Sequence, residues 1–145
     1  MKAKNYKYPL AERLLKFSAD VIIYLRTVKH SSETMDIKRQ LIKAATSGGA
    51  NYEESQGAIT KPDIKTKIAI SHKEIREANY FLRLFSMLDF GNKEQCSHLV
   101  QESSELKKIL GTILNKLSLW LNPLLFAQNR FYFFEFFSGI NDQND

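Results

Sequence analysis

A chain of 145 residues is long enough to bury a core and short enough to form one compact unit, and its single cysteine, Cys96, excludes an internal disulfide framework. No stretch holds eighteen uninterrupted apolar residues, and residues 1–8 lack the apolar centre of a secretory signal, so a soluble, cytoplasmic protein without membrane contact is expected. The formal charge of +5 is unevenly spread, because residues 1–73 carry fourteen Lys or Arg against seven Asp or Glu; gathered on one face they would favour polyanions, whereas scattered they would only keep the surface solvated.

Residues 9–28 place Leu10, Leu14, Phe17, Val21, Tyr24 and Val28 at alternating steps of four and three, one stripe of an amphipathic helix. Pro9 suits the first turn, where a missing N–H costs nothing. Leu15, Ile22 and Leu25 form a second row, so this helix is expected to face two neighbours, as in a bundle. A second helix is expected to begin after Ser31 or Ser32, either able to cap free N–H groups, with Glu33 and Asp36 near the positive end of the dipole. Its stripe runs Ile37, Leu41, Ala44, Gly48, Asn51 and Ser55, with small residues in the middle. Gly48 and Gly49 each cost about 1 kcal/mol relative to Ala in a helix interior, which points either to another backbone close by or to a local break.

Along 57–63, Thr60 is the expected cap of a third helix, Pro62 falls in its first turn and Asp63 takes the capping-box position. So short a turn returns the chain antiparallel to itself. Ile64, Ile68, Ser71, Ile75, Ala78, Leu82 and Phe85 continue the rhythm to a stop near Asp89, with Gly91 suited to the left-handed closing position. Asn92 and Gln95 read as the capping box of a fourth helix, whose stripe is Leu99, Ser103, Leu106, Leu110, Ile113, Leu117 and Trp120 and which Asn122-Pro123 ends. Four helices of roughly 20 to 29 residues on tight turns predict an all-α, antiparallel up-down-up-down four-helix bundle over residues 1–122.

The extension at 123–145 breaks the pattern: Phe126, Phe131, Tyr132, Phe133, Phe134, Phe136 and Phe137 crowd together before a polar end. Exposed, they would invite aggregation, so they are expected to pack on the bundle or on another subunit; an extension without a role is the plain alternative.

The pattern of reactive residues argues against a catalytic centre, a metal or a cofactor. Di-iron bundles use Glu-x-x-His on facing helices, and no such spacing occurs. His72 and His98 fall on separate helices, each with charged residues one turn away, as surface histidines do: Arg76 for the first, Glu94 and Glu102 for the second. Cys96 falls in the first turn of the fourth helix, and His98, two residues on, cannot face it, so a packed thiol is expected. Asn51 lies on an apolar stripe, where an unpartnered amide costs on the order of a few kcal/mol. With Glu53, Glu54, Lys73, Glu74 and Glu77 it is expected to form a polar network that specifies a subunit interface; local pairing of helices two and three, or a ligand site, are the alternatives. Nucleic acid is expected to meet Lys38, Arg39 and Lys43 on helix two and Lys61, Lys65, Lys67 and Lys73 on helix three, in sequence-tolerant and salt-sensitive fashion.

The run Ala45-Thr46-Ser47-Gly48-Gly49-Ala50-Asn51-Tyr52-Glu53-Glu54, followed by Lys61-Pro62-Asp63-Ile64-Lys65-Thr66-Lys67-Ile68-Ala69-Ile70-Ser71-His72-Lys73-Glu74-Ile75-Arg76-Glu77-Ala78, resembles one family. It is similar to the four-helix-bundle proteins encoded in intervening sequences of bacterial large-subunit (23S) ribosomal RNA genes. The likeness covers residues 10–120 in layout and 40–88 in motif. The resemblance implies a homopentameric ring of bundles, a role in binding RNA or DNA, and no catalytic activity or cofactor. A related bundle family serves as the accessory subunit of reverse transcriptases in diversity-generating retroelements, which implies nucleic-acid and protein partners. Two departures stand out: Gly48 occupies a place where a larger apolar residue is usual, and the aromatic extension has no counterpart. The reading is a ring-forming, RNA-binding bundle; its rival is a ring-forming adaptor or assembly factor with a protein-binding surface and no nucleic-acid contact.

Overall fold

The computed structural model describes residues 9–122; the aromatic extension lies outside the described residues. Four α-helices, α1 (Pro9–Leu25), α2 (Ser32–Gln56), α3 (Lys61–Met87) and α4 (Lys93–Trp120), account for the described fold, which contains no strand. α1, at 17 residues, is shorter than its apolar stripe, because the chain turns at 26–28. Val28 is buried all the same.

Each later helix starts on a side-chain cap, which supplies an acceptor to an N–H that has no partner within the first turn. Ser31 accepts from the Thr34 N–H while the Thr34 hydroxyl accepts from the Ser31 N–H, a capping box closed by Thr where Glu or Gln is usual. Thr60 caps α3 through the Asp63 N–H, and Asn92 caps α4 through that of Gln95. At the end of α3 the left-handed residue is Asp89, at φ 51°, rather than Gly91. The helix stops earlier than expected, and a short polar side chain tolerates that conformation. Gly91, at φ 71°, answers a second need: a Cβ there would stand 2.7 Å from both Thr27 Oγ1 and Val28 Cγ2.

The stripes converge on one core. Leu14, Phe17, Val21 and Tyr24 from α1, Leu41, Ala44 and Ala45 from α2, Ile75, Ala78, Leu82 and Phe85 from α3, and Cys96, Leu99, Leu106 and Leu110 from α4 are all buried in it. The second row of α1 does not join them as expected. Leu25 is buried, but Leu15 is 64% and Ile22 36% exposed, because the face shared with α2 and α4 is filled by the first row. α2 runs unbroken through Gly48-Gly49, so its small residues mark a close approach and not a break. Ser71 donates to the Gly48 carbonyl at 2.7 Å and Ser18 to that of Ala45 at 2.9 Å, bonds that need neighbouring helices close together.

Pairings along the helices fix their register. Ser18 meets Ala45, Glu54 meets Lys67, Asn79 meets Ser103, and Cys96 meets the carbonyl of Leu82. Arg13 joins α1 to α4 through a forked pair of bonds to Glu102, at 2.6 and 2.8 Å, and a further one to Glu105. This fork raises the Arg13 pKa and holds the Glu105 carboxyl below its usual range. At the other end of α1, Tyr24 donates to the Phe90 carbonyl at 2.6 Å and sets its ring edge against Phe85. Burial, and then the adjacent Cys96, raise the pKa of this phenol. No helix among the described residues is long and apolar enough to cross a membrane.

Candidate nucleic-acid interface

The seven cations expected to meet nucleic acid do not form one patch. Since Glu54 lies beside Lys67 and Gly48 beside Ser71, the start of α2 runs past the end of α3, which leaves Lys38 and Arg39 at the opposite end of the helix pair from Lys61, Lys65 and Lys67. Four of the seven are engaged. Lys38 donates to the Val28 carbonyl, Arg39 pairs with Asp36 at 2.9 Å, Lys61 sits 3.8 Å over the Trp120 ring, and Lys67 pairs with Glu54, which raises its pKa. Lys43, Lys65 and Lys73 have no carboxylate within ion-pair distance among the described residues, and of these Lys65 and Lys73 share α3.

These two belong to a longer row. Eleven residues make three helical turns and seven make two, so Lys65, Arg76 and Arg83 fall on one line along α3, with Lys73 one turn before Arg76. The same face carries Tyr80, 60% exposed. From Lys65 to Arg83 the row is about 27 Å long at 1.5 Å per residue. None of its four cations meets a carboxylate among the described residues, and no Asp or Glu occupies the line. An open trough beside Lys65 and Lys73 is floored by Pro62, Ala69 and Ile70 and reaches Leu121. It is shallow, unlike the enclosed pockets in which small substrates are turned over.

Toward α4 the row borders His72, which packs closely on the helix backbone at Gly111: a Cβ at that position would lie 3.3 Å from His72 Nε2. Nearby, Lys107 donates to Asn79 Oδ1 at 3.4 Å. Burial lowers the His72 pKa, and the charges of Arg76 and Lys107 lower it further, against a hydrogen bond to the Lys107 backbone that raises it. His72 therefore stands among cations, not beside the carboxylate that a buried histidine commonly recruits. Arg76, Arg83 and Lys107 were not in the expected set. The steps of eleven residues from Lys65 to Arg76 and of seven from Arg76 to Arg83 were readable in the sequence, whereas Lys107 comes near them only through the pairing of α3 with α4.

Asn51 takes its bonds within its own helix, donating to the Ser47 carbonyl at 2.9 Å and to the Ser47 hydroxyl at 3.2 Å. Glu53, Glu54, Lys73, Glu74 and Glu77 make no hydrogen bond to it among the described residues, and Glu54 turns instead to Lys67. Within the chain, a buried polar cluster forms around Asn79. Asn79, 2% exposed, donates to Ser103 Oγ at 2.9 Å, to Ser104 Oγ at 3.1 Å and to the Val100 carbonyl at 3.3 Å. Cys96 is packed in the core, against the Leu82 carbonyl. Among the described residues no three His, Cys, Asp or Glu side chains gather as a metal site would require.

Comparison with known proteins matches residues 10–112 to the family described as 23S rRNA-intervening sequence protein. The fold is similar to a crystal structure of a protein with unknown function from the S23 ribosomal protein family of Bacteroides thetaiotaomicron VPI-5482, with a TM-score of 0.66 and 25% sequence identity over 72% of this chain and 97% of that one. No curated protein matches the chain.

Proposed function

Because the chain belongs to the 23S rRNA-intervening sequence protein family, we propose that it is a non-catalytic, self-assembling bundle that binds nucleic acid, RNA above all, through the outward face of α3. One observation carries the reading: Lys65, Lys73, Arg76 and Arg83 share that face and none of them forms an ion pair among the described residues, although Glu77 lies one turn from Lys73. Unneutralised cations in a row about 27 Å long are suited to successive phosphates. The exposed Tyr80 ring beside them offers a stacking surface for an unpaired base, which favours single-stranded RNA over duplex. The helices are read as an antiparallel up-down-up-down bundle, an arrangement supported by register that falls along each successive pair: Ser18–Ala45 then Val28–Lys38, Gly48–Ser71 then Glu54–Lys67, and Asn79–Ser103 then Leu82–Cys96.

A second reading, a ring-forming adaptor that meets protein and not nucleic acid, draws on a different face. Leu15 and Ile22 on α1 lie seven residues apart, as do Met35 and Ile42 on α2, and all four are exposed. Such a surface suits a second copy of the chain, with Asn51, Glu53, Glu74 and Glu77 supplying polar contacts, or a protein partner. Titration of a labelled RNA and of duplex DNA separates the two readings. The nucleic-acid reading expects affinity to fall about a hundredfold or more between 50 and 200 mM salt. No binding at the lower salt would leave the adaptor.

A further inference from the structure

We propose that the open trough on α3 is the docking site of the chain's own C-terminal extension, whose apolar side chains between residues 124 and 137 cover its floor. Docking there does not depend on the nucleic-acid reading. Where nucleic acid also binds α3, the extension competes with it for Lys65 and Lys73 and leaves to it Arg76 and Arg83, which lie beyond the residues that line the trough.

The trough has a volume of about 550 Å³, and its lining joins the apolar Pro62, Ala69, Ile70 and Leu121 to Lys65 and Lys73. An apolar floor open to solvent gains from apolar cover. Leu121 stands one residue before the end of the described chain, so the extension leaves the bundle at the trough itself. Lys61, 3.8 Å over the Trp120 ring, ties this end of α4 to the start of α3. The residues that follow suit such a floor. Residues 124–137 hold Leu124, Leu125 and seven aromatic side chains, and Arg130 and Glu135 are their only charges.

Reach and charge agree with this occupant. From Pro62 to Lys73 the lining runs about 17 Å along α3 at 1.5 Å per residue, whereas the stretch 124–137 spans up to about 46 Å when extended, enough to follow the whole floor. Lys65 and Lys73 form no ion pair among the described residues, and Glu135 brings a carboxylate within the span of the segment. Tethering at Leu121 also holds the segment near the trough at an effective concentration on the order of millimolar, which a second copy or a separate partner has to exceed. Aromatic side chains that would invite aggregation in solvent are covered in the same step.

Photo-crosslinking of the full chain tests it. Thr66, an exposed residue of the trough, is replaced in Thr66→Cys and labelled in the folded state with a benzophenone maleimide, to which the buried Cys96 is closed. Isotopically light and heavy chains are then mixed in denaturant, refolded together, irradiated and digested. The expected result is adducts to residues 124–137 that join light to light and heavy to heavy. Adducts that join light to heavy as often as like to like put a second copy in the trough and overturn docking within the chain. No adduct to residues 124–137 leaves the trough to a separate partner and overturns it too. Ile70→Glu supplies a second readout, because a carboxylate in the floor disfavours apolar cover. Brief chymotrypsin digestion is expected to cut within 124–137 at least about tenfold faster than in wild type at an unchanged melting temperature, since cleavage follows the population of the undocked form. An unchanged cleavage rate in the folded variant overturns the docking, and should the variant not fold, the crosslinks decide.

Discussion

Gly48 of α2 lies so close to Ile75 of α3 that a Cβ at position 48 would stand 2.6 Å from Ile75 Cδ1 and 2.8 Å from its Cγ1. Ile75 is fully buried and cannot swing away without disturbing the core. Gly48→Ala gains about 1 kcal/mol of helix propensity but overpacks this contact at a cost of about 1–3 kcal/mol, so the variant is expected to unfold at lower denaturant concentration than wild type. Adding Ile75→Val should recover part of the loss. Gly49 provides the control, since a Cβ there would meet nothing nearer than Ser18 Oγ at 3.5 Å. Gly49→Ala is expected to raise stability by about 0.5–1 kcal/mol in the same urea titration.

Asn79 and Asn51 should respond differently to the same replacement. Asn79→Leu removes the amide that joins α3 to Ser103 and Ser104 of α4 and forces a branched side chain into a filled site, so a loss of about 2–3 kcal/mol is expected. Asn51→Leu removes only bonds to Ser47 in its own helix, and less than about 1 kcal/mol is expected in chemical denaturation. Equal losses at the two sites would contradict the placement of the buried network.

The four helices were legible because their stripes recur every three and four residues and because Ser31, Thr60 and Asn92 announce their own starts. What could not be read was which of two asparagines, one on α2 and one on α3, would be buried across a helix pair. Asn51 sits on an apolar stripe and Asn79 one position beside one, yet Asn79 is the deeper, because its neighbours Ser103 and Ser104 come from a helix more than twenty residues away in the chain. The basic face shows the same limit. Composition pointed to the first half of the chain, while the unneutralised row continues through Arg76 to Arg83, past the midpoint where the charge count was divided. Whether a lysine is free or engaged depends on tertiary neighbours, as Lys61 over Trp120 and Lys38 on the Val28 carbonyl show.

His72 makes stability depend on pH in a defined direction. Its folded-state pKa is lowered, so the unfolded chain binds the proton first and stability falls as pH drops through the ordinary histidine range, toward the lowered folded value. His72→Gln has no such proton to bind. Thermal melts at pH 7.5 and 5.5 without nucleic acid should therefore show a smaller loss for His72→Gln than for wild type, and an equal loss would remove the reason for placing the imidazole among cations.

Tyr80 is largely exposed, so Tyr80→Ala should leave the melting temperature within a degree or two of wild type. If its ring stacks on an unpaired base, the substitution weakens single-stranded RNA binding by about 1–3 kcal/mol and duplex binding much less. Equal effects on the two, measured by fluorescence anisotropy, would argue against stacking.

Contact with nucleic acid through the cations of one helix face can be probed by reversing charge at two places on the same protein. RNA affinity is measured at low salt for Arg76→Glu/Arg83→Glu and for Lys38→Glu/Arg39→Glu, which change the net charge equally. The first variant is expected to lose at least about tenfold more affinity than the second and to show a shallower dependence on salt, because it removes phosphate contacts and not merely overall attraction. Equal losses in the two variants, or none in the first, would contradict it.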